Sequence, residues 1–221
     1  MTDNPLEDGT VPRVRRPVRA AHRALDLVVT TVLLVLLALP MLVTAAAVRI
    51  GSPGPALFRQ QRVGRFGEPF VMYKFRSMRV GAGEQGEREQ IAGELSGERL
   101  PERGSFKPDR DVRVTRLGAV LRRTSLDELP QLLNVLRGDM ALVGPRPCLP
   151  WEAEMFPPEF RPRFSVPPGI TGLWQVSGRS RLSTLDMLRL DVAYVRSRSL
   201  GTDLRILLRT GPALLRGDGA R

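Results

Sequence analysis

Residues 27 to 48, LVVTTVLLVLLALPMLVTAAAV, form a stretch of 22 residues without a charge. At the helical rise this length matches a hydrocarbon core about 30 Å thick, and a buried core helix is seldom so apolar. Pro40 divides the stretch into limbs of roughly 20 Å and 12 Å, neither of which spans alone. Cations flank both ends: Arg13, Arg15, Arg16, Arg19 and Arg23 precede it, and Arg49, Arg59, Arg62 and Arg65 follow. The positive-inside rule therefore finds no external end. Two arrangements accommodate this, a re-entrant helical hairpin bent at Pro40 with both ends on the cytoplasmic side, and a spanning helix kinked at Pro40. A third reading takes the arginine-rich start, the apolar run and the alanines at 45–47 as a cleaved signal peptide, although the run exceeds the usual length.

The remaining chain bounds the chemistry. A total of 221 residues holds one ordinary domain with a core, plus a membrane element. The net charge of +11 calls for an anionic partner, which is nucleic acid, acidic lipid headgroups or a phosphorylated substrate. The chain has one histidine, His22, and one cysteine, Cys148. An intramolecular disulfide is thereby excluded, a Cys/His zinc site nearly so, and nucleophile systems that lean on histidine have little to work with. His22 lies in a basic run between Arg19 and Arg23 and reads as a surface or headgroup-level residue. Chemistry falls to carboxylates, Lys, Arg, hydroxyls or a hard metal.

Residues 56–78 read as a β-hairpin whose turn contains Gly64 and Gly67. Residues 81–107 read as a polar, glycine-rich mobile loop with one weak helix. Gly81, Gly83 and Gly86 mimic a dinucleotide fingerprint, but no apolar helix follows to complete that fold. From 111 to 147 the pattern is helix, break, helix and a short apolar strand ending in Pro-Arg-Pro. Residues 166–180 are turn signals around one tryptophan, and two amphipathic helices close the chain. Their arginines form a solvated face or rest on anionic headgroups. Within this frame TSLDELPQL, residues 124–132, contains an S-x-x-E capping box, with Ser125 as the cap and Glu128 reaching back.

Four phrases stand in order: GSPGPALFRQQRVGRFGEPFVMYKFRSM, DVRVTRLGAVLRRTSLDELPQLLNVLRGDMALVGPRP, PGITGLWQVSGRS and LDVAYVRSRSLGTDLRILLRT. Through them the chain resembles the bacterial sugar transferases, monotopic phosphoglycosyl transferases that move a sugar phosphate from a nucleotide diphosphate sugar to a polyprenyl phosphate. The resemblance implies an α+β, mainly helical fold in the short single-domain form. It places a basic tail at 1–22, a re-entrant membrane helix broken at Pro40 within 23–50, and a cytoplasmic catalytic domain at 51–221, at the inner membrane. It makes Asp127 and Glu128 the catalytic dyad.

Physical chemistry agrees that a carboxylate nucleophile needs no histidine. On this reading Asp127 attacks the sugar-linked phosphorus of a UDP-sugar, UMP leaves, and undecaprenyl phosphate collects the phosphosugar. Glu128 helps hold Mg²⁺, the hard cation expected beside a diphosphate. Arg122 and Arg146 match cationic family positions and are phosphate-binding candidates; Lys74 and Arg76 are weaker ones. Membrane lipids are expected partners, nucleic acid is not, and a homodimer is compatible. Val112 stands where the family usually has proline, His22 where lysine is common and Leu25 where an aromatic is usual. Ser77 fits a Ser/Thr position. The competing class is a membrane-tethered basic module that binds nucleic acid or lipid without catalysis; it leaves the four phrases unexplained.

Overall fold

Helices dominate the architecture, and two small two-stranded sheets lie among them. The structure is a computed structural model and describes residues 16–78, 85–96, 114–178 and 182–215. Helix α1, Arg16–Gly51, carries the whole uncharged stretch with Pro40 inside it. It starts ahead of the expected 23–50 segment. Its outward face, which includes Val28, Val35, Leu36, Leu39 and Leu42, is exposed, while Val29, Leu33, Leu34 and Leu37 pack on the main core. Beyond Pro40, Met41, Ala45 and Val48 join a second cluster with Phe75 and Leu121. The 45–47 alanines therefore lie inside a continuous helix, with Ala45 packed.

Strands β1, Leu57–Val63, and β2, Pro69–Phe75, form the expected antiparallel hairpin, pairing Phe58 with Lys74 and Gln60 with Met72. Helix α2, Gln85–Ser96, lies within the 81–107 segment; the rest of that segment except Gln85–Ser96 falls outside the described residues. Helix α3, Arg116–Thr124, opens on Thr115, whose side chain accepts from the Gly118 amide. A Cβ on Gly118 would sit 1.9 Å from the Ser77 carbonyl oxygen, so only glycine lets α3 rest on the end of the hairpin. A 3₁₀ turn, Leu126–Glu128, leads to α4, Gln131–Arg137.

Strand β3, Ala141–Val143, pairs in parallel with β4, Gly169–Thr171. Helices α5, Pro150–Met155, and a 3₁₀ segment, Pro158–Ser165, lie between them. The stretch expected to be turns around a tryptophan is more regular than that: β4 is followed by α6, Leu173–Ser177, with Trp174 buried. Helices α7, Thr184–Ser197, and α8, Leu200–Leu215, close the fold as anticipated. The core centres on Met72, Leu132, Val135, Met140, Tyr194 and Ile206.

His22 is not at the surface. It is 3% exposed, and its Nε2 lies 3.3 Å from Asp203 of α8. One helical turn on, Asp26 accepts from the Leu142 amide of β3 at 3.0 Å. The basic run misled because the partner carboxylate is supplied from the far end of the chain.

Candidate active site

Ser125 is the C-cap of α3, with φ 56° and ψ 19°, and its amide donates to the carbonyls of Arg122 and Leu121. This left-handed residue swings the chain into the 3₁₀ turn that carries the two acids. The capping box does not form: Ser125 makes no side-chain cap bond there, and Glu128 turns elsewhere. Its Oε1 accepts from Arg146 at 2.7 Å and from Lys74 Nζ at 3.2 Å. Two cations at hydrogen-bond distance outweigh one backbone amide.

Each side chain arrives from a different element. Lys74 comes from β2, Arg122 from the last turn of α3, the acids from the 3₁₀ turn, and Arg146 from the loop after β3. The buried Asn134 of α4 fixes the first of these: its Oδ1 accepts from the Tyr73 amide at 3.1 Å and its Nδ2 donates to the Val71 carbonyl at 2.7 Å. The amide thus continues the edge of β2 as another strand would, and seats Lys74 beside the turn.

Asp127 is 7% exposed. Burial pushes its carboxyl above the ordinary 3.8 and Glu128 adds to this, while Lys74, Arg146 and Arg122 pull it back. Burial also acts on Glu128, but Arg146 and Lys74 outweigh it and hold that carboxyl well below the usual range. Lys74 is pushed below its ordinary value by desolvation, against the pull of Glu128. The two acids are therefore differentiated: Glu128 is a fixed anion between cations, and Asp127 is the more basic of the pair.

Lys74, Arg146, Asp127 and Glu128 converge as expected, and Arg122 reaches Asp127 through its charge. Arg76 lies apart from them. It is buried, and its guanidinium bonds the carbonyls of Pro53 at 2.6 Å and Ser52 at 2.8 Å, the Ser52 hydroxyl at 2.9 Å and the Val48 carbonyl at 3.5 Å. It ties the end of α1 to the hairpin.

Among the described residues no group of three or more His, Cys, Asp or Glu side chains could form a metal cage. The donor set still fits a hard cation that substrate helps to hold. Mg²⁺ is commonly bound by one or two carboxylates with phosphate oxygens and water completing its shell, and both cations on Glu128 use Oε1, so Oε2 carries no such bond.

The profile of the bacterial sugar transferases aligns with residues 18–217. The chain belongs to that family. A galactosyl transferase, CpsE, of Streptococcus agalactiae is 46% identical over 169 residues, 76% of this chain and 36% of that one. A UDP-glucose:undecaprenyl-phosphate glucose-1-phosphate transferase of Caulobacter vibrioides is 43% identical over 220 residues, 96% of this chain and 75% of that one. An undecaprenyl-phosphate galactose phosphotransferase of Salmonella typhimurium is 39% identical over 206 residues, 93% of this chain and 43% of that one. The chain thus spans less than half the length of the first and third of these sugar transferases.

Sequence reasoning passed over two groups behind the site, Arg163 and Asp191. The only available signal was an arginine and an aspartate within otherwise apolar or turn-forming stretches, RPRFSVPPG and LRLDVAYV.

Proposed function

We propose that this chain transfers a sugar 1-phosphate from a UDP-sugar to undecaprenyl phosphate, at the cytoplasmic face of the inner membrane. The product initiates a lipid-linked glycan. The observation that carries the reading is the buried Asp127, raised in basicity and surrounded by Lys74, Arg122 and Arg146. Anion meets anion in this reaction, so neutralising cations and a positioned nucleophile are what the site must supply.

In the first step a carboxylate oxygen of Asp127 attacks the phosphorus bonded to the sugar. An O–P bond forms, the bond from that phosphorus to the bridging oxygen breaks, and UMP departs with the electron pair. In the second, an oxygen of undecaprenyl phosphate attacks the same phosphorus; the aspartyl O–P bond breaks and the carboxylate is restored. Arg146 and Lys74 exchange Glu128 for phosphate oxygens as the donor enters, and Arg122 draws the nucleophile's charge toward the reacting centre. Glu128 would help hold Mg²⁺ with the diphosphate, which would supply neutralisation of the charge developing on the leaving oxygen.

Membrane seating follows from α1. His22, on one limb, and Val48, on the other, are both 3% exposed against the same domain, although a straight helix would place them roughly 39 Å apart. A spanning helix would carry one limb away from that domain, so the contacts favour a re-entrant path bent at Pro40. Leu204 and Leu208 of α8 are exposed, each followed directly by an arginine, Arg205 and Arg209, a face suited to anionic headgroups.

The relatives' names nominate glucose and galactose donors first. The test is a panel of UDP-sugars with undecaprenyl phosphate and Mg²⁺, scored by UMP release and by label entering the organic phase. Asp127→Asn is expected to keep membrane attachment while abolishing both UMP release and the covalent phosphosugar. Full turnover by that variant would remove Asp127 as the nucleophile. For topology, single cysteines at Asn4 and Gln60 in a Cys148→Ser background are expected to react only with cytoplasmic reagent; external labelling of either means a spanning helix.

A further inference from the structure

Arg146 sits between Pro145 and Pro147, and prolines have no amide to donate. The loop after β3 can therefore be pinned chiefly through its carbonyls, and four in succession are held. The Gly169 amide donates to Pro145 O at 2.8 Å and the Val63 amide to Cys148 O at 2.9 Å. Arg62 donates to Pro147 O at 3.4 Å. The carbonyl of Arg146 itself is taken by a buried guanidinium, that of Arg163, at 2.7 Å.

Arg163 is 5% exposed and has several obligations. Its Nε and Nη2 donate to Asp191 Oδ2 of α7 at 3.1 and 2.8 Å, and its Nη1 lies 3.2 Å from the Cys148 sulfur. Phe156 and Phe164 rings flank it at 5.2 and 5.1 Å. Arg163 and Arg146 line one small open cleft with Gly64 and Phe164. An ammonium cannot serve three acceptors arranged in a plane; a guanidinium can. A buried ion pair adds little net stability over well-packed apolar residues, so its presence points to a geometric task.

We propose that Arg163, oriented by Asp191, is the positioning residue that aims Arg146 at the catalytic carboxylates and at the phosphate they act on. Arg163 does not touch the dyad; it fixes the backbone from which Arg146 reaches Glu128 at 2.7 Å. This rests on the role given to Arg146 above. A misplacement of about 1 Å at such a group costs about 10²-fold in rate.

The test is a double-mutant cycle between Arg163→Lys and Arg146→Ala in the full-length membrane-embedded chain. It is read as kcat/KM for UMP release from UDP-glucose and UDP-galactose. Arg163→Lys is expected to lower kcat/KM about 10²-fold. In the Arg146→Ala background it is expected to cost almost nothing more. An equal loss in both backgrounds overturns the proposal. Full activity of Arg146→Ala alone overturns instead the role of Arg146, so the two failures are distinct. A measurement free of turnover is hydrogen exchange in Arg163→Met/Asp191→Leu, which replaces the pair by apolar groups. The Val63 and Gly169 amides, which donate to the Cys148 and Pro145 carbonyls, are expected to lose protection while α4 keeps its own; unchanged protection at both, or loss throughout the molecule, refutes a local positioning role.

Discussion

Asp127 and Glu128 are neighbours in sequence with opposite electrostatic fates, and that difference predicts a pH profile. Only ionised Asp127 can attack, and burial raises its carboxyl above 3.8. Activity is therefore expected to fall as pH drops through a value above the ordinary aspartate range, while Glu128, held low by Arg146 and Lys74, contributes no limb there. Arg146→Ala removes a charge that lowers Asp127 and is expected to shift the acid limb upward. A limb unmoved by that substitution, measured as kcat/KM against pH, would contradict the electrostatic assignment. Ser125 gives a second prediction at this scale. Its φ of 56° is poorly tolerated by β-branched residues, so Ser125→Val should destabilise by about 1–3 kcal/mol and disorganise the turn bearing the acids. Ser125→Gly should remain folded and active. Thermal denaturation of the two variants in one detergent separates them, and equal melting temperatures would argue against strain at this position.

Elements place the acids by backbone contact more than by side-chain packing. The α3 helix rests on Ser77, and the added methyl in Gly118→Ala would meet the Ser77 carbonyl at 1.9 Å. Overpacking of this kind costs about 1–3 kcal/mol, and because α3 carries Arg122 and ends at Ser125, kcat should drop with stability. A variant with wild-type melting and turnover would show that α3 can shift freely. Much of this layer was legible beforehand: strand alternation and two glycines gave the hairpin, leucine spacing gave α7 and α8, and Pro-Arg-Pro after MALVG gave the loop that presents Arg146. The S-x-x-E pattern was legible too, yet its local solution lost to cations brought in from β2 and from beyond β3. Short-range pattern records what a residue can bond nearby. It holds no record of Lys74 approaching from 54 positions away, nor of Arg163 closing on Asp191 across 28.

At the scale of the whole molecule, the long apolar helix α1 is also part of the hydrophobic core. A division into anchor and soluble domain was the natural reading of 22 uncharged residues, because hydropathy reports the lipid face of α1 and says nothing of its other side. That other side carries polar groups at helical spacing. His22 meets Asp203, whose Oδ1 accepts from the Tyr194 hydroxyl at 2.7 Å, and that hydroxyl also lies 3.1 Å from the Val143 carbonyl. Asp26 holds the Leu142 amide, and Arg23 donates to the Val135 and Leu136 carbonyls at 2.5 and 2.8 Å, near the end of α4. The bonds from Asp26 and Arg23 fall on β3 and α4, the elements that join the acids to Arg146 along the chain. Removing residues 1–50 would leave polar groups of β3, α4 and α8 without the partners that α1 supplies, at about 1–3 kcal/mol for each that is buried, and would strip the core of Val29, Leu33, Leu34 and Leu37. A fragment of residues 51–221 is therefore expected to lack a cooperative melt, to be cut rapidly by protease and to release no UMP even in detergent with a short-chain polyprenyl phosphate. The full chain should stay on membranes in about 1 M salt, where surface charge attraction is screened to about 3 Å. A stable, active fragment would mean that α1 only tethers; an unfolded one, beside a salt-resistant full chain, means that seating in the membrane and assembly of the active site are one event.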